Sequence, residues 1–256
     1  MYQFFTDPGN ICGNDIYIEG PDYNHIKNVL RIRIGEEVSV IAADSALGSD
    51  TNKEYRCEVA DYEDGRVHLK LRFIKEDNVE LPNRIYLFQG LPKSDKMELI
   101  IQKAVELGVY EIIPVSMARS VVKYDKKKET AKIARFNGIS EAAAKQSKRR
   151  VIPQVHSVMS FKEAVEYSKD MGVKLLPYEL ADMDSMDKTR QLLGSITPGQ
   201  DIAVFIGPEG GFDESEVSLA RQAGYETITL GRRILRTETA GMTVLSWLVY
   251  LLEQTG

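Results

Sequence analysis

The sequence predicts an α/β domain built on a mostly parallel sheet, preceded by a small all-β unit. Three observations predict it. Short alternating or apolar runs, separated by Gly and Pro turns, fill residues 1 to about 72. From Arg84 onward, apolar strand-type runs alternate with helical patterns. Two glycine turns near the C-terminus each follow an apolar, β-prone run and each lead into a helical pattern.

In the first part, strands are expected at 15–19, 37–42, 55–61 and 66–73, set off by Gly20-Pro21, Gly35 and Asp64-Gly65. One helix is expected at 21–29, with Asp22 placed to cap its first turn. Short strands this closely spaced suggest a small barrel. Residues 74–82, charged and ending in Pro82, read as a linker, which divides the chain into 1–73 and 74–256.

The second part opens with a buried-type strand at 85–89. The pattern at 96–107 is amphipathic, with Met97, Ile100, Ile101, Ala104 and Val105 on one face and Gly108 as the C-cap. A strand at 111–115, a basic helix near 126–147, and strands at 174–177 and 202–206 follow. A helix at 214–223, a strand at 227–230 and a final helix at 240–253 complete the series. That helix carries Met242, Leu245, Leu248, Val249 and Leu252 with Trp247 and Tyr250, apolar nearly all round, so it is expected to be covered, most economically by a second copy of the chain.

Length and composition bound the function. The 256 residues, 43% apolar, suffice for one large domain or two smaller ones. Cys12 and Cys57 are too far apart for a zinc or redox motif, and His25, His68 and His156 are scattered, so no metal is expected. The N-terminal residues lack a signal-peptide pattern, and the longest apolar run, 242–252, is too short to span a bilayer. The expectation is a cytoplasmic protein. Net charge is −5, yet the window 119–150 holds eleven Lys/Arg against three acids, a surplus of eight positive charges that leaves −13 on the remainder. Such local concentration on an acidic chain is the footprint of a polyanion site.

Common motifs are missing. There is no Gly-x-Gly-x-x-Gly, no P-loop and no Gly-x-Ser-x-Gly elbow. What stands out is Gly207-Pro208-Glu209-Gly210-Gly211-Phe212 and Leu230-Gly231-Arg232-Arg233-Ile234-Leu235-Arg236-Thr237-Glu238-Thr239-Ala240. Glycine after a strand lets backbone approach a ligand, and open α/β sheets bind ligands at the carboxyl ends of their strands. This pattern suggests a cofactor site made largely of backbone.

These two segments, with Glu216, resemble the signatures of the ribosomal RNA small-subunit methyltransferase E family, in the SPOUT superfamily of knotted methyltransferases. Lys93, Lys96-Met97-Glu98, Gln102-Lys103, Glu106-Leu107-Gly108-Val109, Glu141-Ala142-Ala143, Gln146-Ser147 and Arg149 match further upstream, as do His25-Ile26 and Val29-Leu30-Arg31. Arg232-Arg233 departs from the smaller or proline-containing pair of many relatives. The resemblance implies a PUA-like RNA-binding β-barrel and a SPOUT domain with a trefoil knot, its sheet covered by helices on both faces. It also implies a homodimer that methylates N3 of a uridine in 16S rRNA of the small ribosomal subunit, using S-adenosylmethionine.

On that basis Gly207, Gly210, Gly211, Leu230, Gly231, Ile234 and Leu235 wrap the methyl donor. Ile206, Pro208 and Glu209 belong to the first turn, and Leu176, Pro177, Tyr178 and Glu179 form a third wall. Arg236, Thr239 and Ala240 close the site at the final helix. N3 of uridine is a weakly acidic imide whose proton must leave before or during attack. Arg236 is assigned to the uracil carbonyls, Glu238 or Glu209 to accepting the proton or fixing Arg236, and Thr237 to orienting either glutamate. Glu238 is nearly as well explained as the N-cap of the final helix. Lys126, Lys127, Lys128 and Arg150 are assigned to phosphates, Gln146, Ser147 and Arg149 to RNA or a partner's site, and Arg31 and Arg33 to RNA from the barrel. Two rival readings stay open: a non-enzymatic RNA-binding protein, and a SPOUT enzyme acting on tRNA.

Overall fold

A computed structural model describes residues 1–43, 53–77, 79–93, 96–179 and 186–253. Its contacts divide the chain into two units. The first is Met1–Glu80 together with Ala144–Ile152, and the second is Leu81–Ala143 together with Pro153–Gly256.

The first unit holds β1 (Gln3–Thr6), β2 (Ile11–Cys12), β3 (Asp15–Glu19), β4 (Glu37–Ala42), β5 (Lys53–Glu63) and β6 (Arg66–Glu76) in the order β1-β4-β5-β6-β3-β2. Among the described residues of this unit, only β1 and β4 pair in parallel. Alternate residues fill one core, with Ile16, Ile18, Val38, Val40, Val59, Val67 and Leu69 at 0–1% exposure. Thr6 Oγ1 donates to the Tyr17 carbonyl at 2.7 Å, which ties the first strand to the third across the order. The expected linker is half strand: β6 runs on to Glu76 because Tyr55, Glu54 and Lys53 pair with Ile74, Lys75 and Glu76. The expected helix at 21–29 is a short α1 (Pro21–Asn24) running into a π-helical turn, His25–Leu30. Asp22 does not cap it. Gly20, at φ 66°, occupies the cap position, and the Asp22 carboxylate instead receives Lys145 Nζ at 2.8 Å.

Arg149, expected to face RNA or a partner's site, and Arg150, expected to contact phosphates, are both buried. Their side chains are 6% and 2% exposed. Arg149 Nε donates to Glu80 Oε2 at 2.9 Å. Arg150 Nη2 donates to Glu54 Oε2 at 2.9 Å and also reaches Asp77. Buried cations ion-paired with the chain's own carboxylates are not available to phosphates. Removing one member of such a pair costs about 3–5 kcal/mol, because the other is left charged and dry.

The second unit contains one sheet in the order β10-β8-β7-β12-β11-β13, with β9 also on β8. The strands are β7 (Arg84–Gly90), β8 (Glu111–Ser116), β9 (Gln154–Val155), β10 (Met159–Ser160), β11 (Val173–Pro177), β12 (Asp201–Ile206) and β13 (Glu226–Ile228). Every pairing among them is parallel, as the strand–helix alternation requires. The helices are α2 (Lys96–Glu106), α3 (Lys126–Ser147), α4 (Phe161–Tyr167), α5 (Met186–Gly194), α6 (Glu214–Gln222) and α7 (Thr237–Leu252). Phe88 and Phe205, opposed in the β7–β12 register, stack at 4.5 Å in the core.

The last helix begins three residues earlier than expected, at Thr237, with Arg236 as its extended N-cap residue. Glu238 is therefore in the first turn and is not the cap. One face of α7 is buried through Val244, Leu245, Leu248 and Leu252, while Trp247 is half-buried and Tyr250 is 66% exposed. No helix among the described residues is long and apolar enough to cross a membrane.

Candidate functional site

Parallel pairing places the carboxyl ends of β7, β11, β12 and β13 along one edge. Two adjoining clefts open there, of about 340 and 310 Å³. The first is floored by Gly207, Pro208, Glu209, Gly210 and Gly211. The second is bounded by Tyr178, Leu230, Gly231, Arg232 and Arg233. Pro177, Glu179, Ile234, Leu235 and Ala240 line both. The sequence-predicted turns thus meet in one place, each starting where its strand ends.

Two glycines show how tight this edge is. A Cβ on Gly90, at the end of β7, would lie 2.7 Å from Pro208 N and Cδ and 2.9 Å from Met117 Sδ. Gly211 has φ 69°, and a Cβ there would meet Glu179 Oε1 at 3.0 Å. Only glycine lets the turn after β12 lie against β7 on one side and the Glu179 carboxylate on the other.

Polar groups then lock the turns together. Thr237 Oγ1 donates to the Gly207 carbonyl at 2.6 Å and accepts from the fully buried Gln89 Nε2 at 2.8 Å. Glu216 accepts from Asp213 N at 3.0 Å, closing the capping box of α6, and from Ala118 N at 2.8 Å. Arg119, on that same loop, donates to the Gly210 carbonyl at 3.2 Å. The Thr237 hydroxyl, 5% exposed, thus bonds to Gly207 and Gln89 and to neither of the carboxylates, Glu209 and Glu238, that it was expected to orient.

Lys96 Nζ lies 3.1 Å from Glu209 Oε1 and 3.3 Å from Glu238 Oε2. The Glu209 carboxylate, and after it that of Glu238, outweigh desolvation and raise the Lys96 pKa. Desolvation pushes the Glu209 carboxyl up, but backbone N–H groups, including that of Lys93, and the Lys96 ammonium together hold it below the usual range. Arg236 is exposed at the rim of the cleft.

Other expected residues fall in different surroundings. The Leu176 side chain is fully buried in the core cluster with Phe88 and Phe205. Thr239 is exposed and its carbonyl accepts from Thr243 Oγ1. Ile206 and Pro208 are buried beneath the first turn. Lys126, Lys127 and Lys128 are exposed at the start of α3, although Asp125 pairs with Lys128 at 3.3 Å. Near the other end of α3, Gln146 is exposed and Ser147 half-buried. In the first unit Arg31, left-handed at φ 52°, and Arg33 are exposed. Gln89 and Lys96 carry parts of the site that the sequence reading assigned no role. A polar residue ending an otherwise apolar strand was the signal for Gln89. Among the described residues, no three His, Cys, Asp or Glu side chains gather as a metal site would need.

Comparison with known proteins places this geometry. Residues 79–249 match the RNA methyltransferase domain family, and residues 18–42 match the RNA methyltransferase PUA domain. The chain is 35% identical, over 92% of its length and 90% of the relative's, to ribosomal RNA small subunit methyltransferase E of Bacillus subtilis. It is 31% identical, over 96% and 98%, to the protein of that name from Mesomycoplasma hyopneumoniae. Among solved structures it is similar to a ribosomal RNA small subunit methyltransferase E from Neisseria gonorrhoeae bound to S-adenosyl methionine, with 29% identity, a TM-score of 0.81 and 96% coverage of each chain.

Substituting Gly90→Ala forces the turn after β12 away from β7, because backbone rather than a flexible side chain stands in the way. Urea unfolding of this variant is expected to show a loss of about 1–3 kcal/mol; a midpoint equal to that of the parent protein would mean the edge is looser than its geometry.

Proposed function

Because the chain belongs to the ribosomal RNA small subunit methyltransferase E family of RNA methyltransferases, we propose that it transfers a methyl group from S-adenosylmethionine to N3 of a uridine in 16S rRNA. One observation carries this reading to the residues. Both glycine turns line one edge of a parallel sheet, and Arg236 stands exposed at their rim.

The residues present fit the donor. The clefts lie within the roughly 300–1,000 Å³ of small-molecule sites. Gly211, whose missing Cβ keeps the turn clear of Glu179, leaves backbone as the floor. Leu230, Ile234 and Leu235 offer apolar walls, and Glu179 and Glu209 offer carboxylates to a ligand bearing ammonium and sulfonium charges. When bound, the donor supplies a methyl group on a positively charged sulfur. The chain's own residues do the rest. Turns 207–211 and 230–235 hold that group in place, so alignment with N3 contributes much of the acceleration. Arg236 pairs with the uracil carbonyls, where negative charge develops as the N3 proton leaves. Thr237 holds the Gly207 turn to the start of the final helix.

Lys126, Lys127 and Lys128 contact RNA phosphates in this reading, while Gln146, Ser147, Arg31 and Arg33 add further contacts to RNA. The six-stranded sheet of the first unit, with its Thr6–Tyr17 tie, supports a PUA-like barrel. In the second unit, β12 lies between β7 and β11, and the chain returns from β13 to reach Gly207 and Gln89 through Thr237, which supports a trefoil knot. The exposed Tyr250 and a groove lined by Met186, Leu193, Trp247 and Leu251 support a second copy docked on α5 and α7. A cytoplasmic setting, where ribosomal subunits are assembled, goes with the reaction.

Incubation of the protein with S-adenosylmethionine and small-subunit RNA, followed by mass mapping, is expected to show one methylated uridine. Arg236→Ala is expected to lower that transfer at least about a hundredfold, while calorimetry still reports donor binding; a variant that loses only donor affinity would contradict the role given to Arg236. Reversing Lys126, Lys127 and Lys128 to Glu should weaken RNA binding and flatten its salt dependence, and an unaltered slope would remove them from the interface. Sedimentation at micromolar concentration should give twice the 28.8 kDa of one chain; a single-chain mass would remove the docked copy.

A further inference from the structure

Lys96 joins two carboxylates from different segments at the lip of the cleft. With Nζ 3.1 Å from Glu209 Oε1 and 3.3 Å from Glu238 Oε2, those oxygens are no farther apart than the sum, 6.4 Å. Their situations differ. Glu209 lines the cleft beside Gly210. Glu238 is 16% exposed, and its Oε2 is buried with no hydrogen bond, so the Lys96 charge is what compensates it. Two carboxylates this close and partly dry repel, and one takes up a proton unless a cation stands between them.

Neighbouring charges do not replace that cation. Arg236 and Glu179 line the same cleft with opposite signs. The Arg119 guanidinium is directed to the Gly210 carbonyl and Asp213. Glu98, on α2 with Lys96, pairs with Arg135 at 2.8 Å. Lys93 gives Glu209 its backbone N–H at 3.1 Å.

We infer that Lys96 is a positioning residue that keeps Glu209 ionised and held at the cleft, and that Glu209, not Glu238, accepts the N3 proton of uridine. The inference rests on the methyl transfer proposed above. In the step, the N3–H bond breaks and its proton passes to a Glu209 oxygen. The electron pair left on N3 forms the bond to the methyl carbon. The carbon–sulfur bond breaks with its pair on sulfur, which loses its positive charge. Once Glu209 is neutral, Glu238 remains as the counter-ion of Lys96, so the ammonium is never left unpaired.

The test is the pH dependence of single-turnover methylation, with calorimetric titration of S-adenosylhomocysteine into each variant as a readout independent of turnover. Activity that needs an ionised carboxylate falls as pH drops through its pKa, and removing the cation raises that pKa. Lys96→Met is therefore expected to move the acid limb upward by about 1–2 pH units, with product affinity unchanged, and Lys96→Arg to return it. Glu209→Gln should lose the acid limb and about 10²–10⁴ in rate, whereas Glu238→Gln keeps the limb. The double variant Lys96→Met/Glu238→Gln removes one carboxylate with the cation and should bring the limb back toward that of the parent. It also provides the test where Lys96→Met alone does not fold. A uniform slowing at every pH in Lys96→Met, an unshifted limb in a folded variant, or loss of product binding overturns the inference. So does loss of the limb in Glu238→Gln in place of Glu209→Gln. A parent protein that binds the product yet methylates no uridine overturns the proposed reaction instead, a result read before any variant is compared.

Discussion

The hydroxyl of Thr237 is the interaction on which the site depends. It donates to the carbonyl of Gly207 at the end of β12 and accepts from Gln89 at the end of β7, with all three partly or fully shut off from water. A carbonyl and an amide placed so deep each need a partner, and leaving one unmade costs about 1–3 kcal/mol. For the Gly207 carbonyl the demand is met by the first turn of α7 sitting against those two strand ends, and Gln89 Nε2 donates to the Gly90 carbonyl as well. That constraint fixes where the helix begins, and with it the placement of Arg236 one residue before and Glu238 one residue after. Arg236 and the counter-ion of Lys96 are thus both set by a neutral hydrogen bond between them.

The same edge explains why glycine recurs there. Pro208 must lie over Gly90, and the Glu179 carboxylate must lie over Gly211. A side chain at Gly90 would push the turn outward and break the carbonyl of Gly207 away from Thr237, while the φ of 69° is what reserves position 211 for glycine. Backbone packing at the floor and hydrogen bonding at the wall therefore act on one segment, 207–211. Glu216 extends the hold to the next loop, since one carboxylate both caps α6 and secures Ala118. The cleft is rigid where it is lined by backbone, and its charged groups stand at the rim.

Much of this was legible in the sequence. Apolar strands alternating with amphipathic helices specify the parallel sheet, and glycine after each of two strands marks the edge that carries the clefts. The start of α7 was not legible, because Arg236-Thr237-Glu238-Thr239 has no apolar periodicity and is ordered by tertiary hydrogen bonds. Strand β1 was missed for a related reason: its four residues are all buried and do not alternate, and their partner β4 lies more than thirty residues on. The seven-residue α4 carries too few turns for a periodic signal.

Arg149 and Arg150 show how a charge count misleads. Both sit in the most basic window of the chain and look solvated, yet the carboxylates that neutralise them are 69 and 96 residues away in sequence. Lys145, paired with Asp22, behaves the same way at a separation of 123. A window count sees only local neutralisation, so it overstates the charge left for a polyanion. The cations at the start of α3 are different: Lys126 and Lys127 are exposed, and Lys128 has only the adjacent, equally exposed Asp125, an ion pair that screening leaves nearly without value. A phosphate can displace such a partner at little cost, whereas it cannot draw Arg150 out of its buried pair. What separates binding charge from structural charge here is desolvation, which the sequence does not display and the fold does.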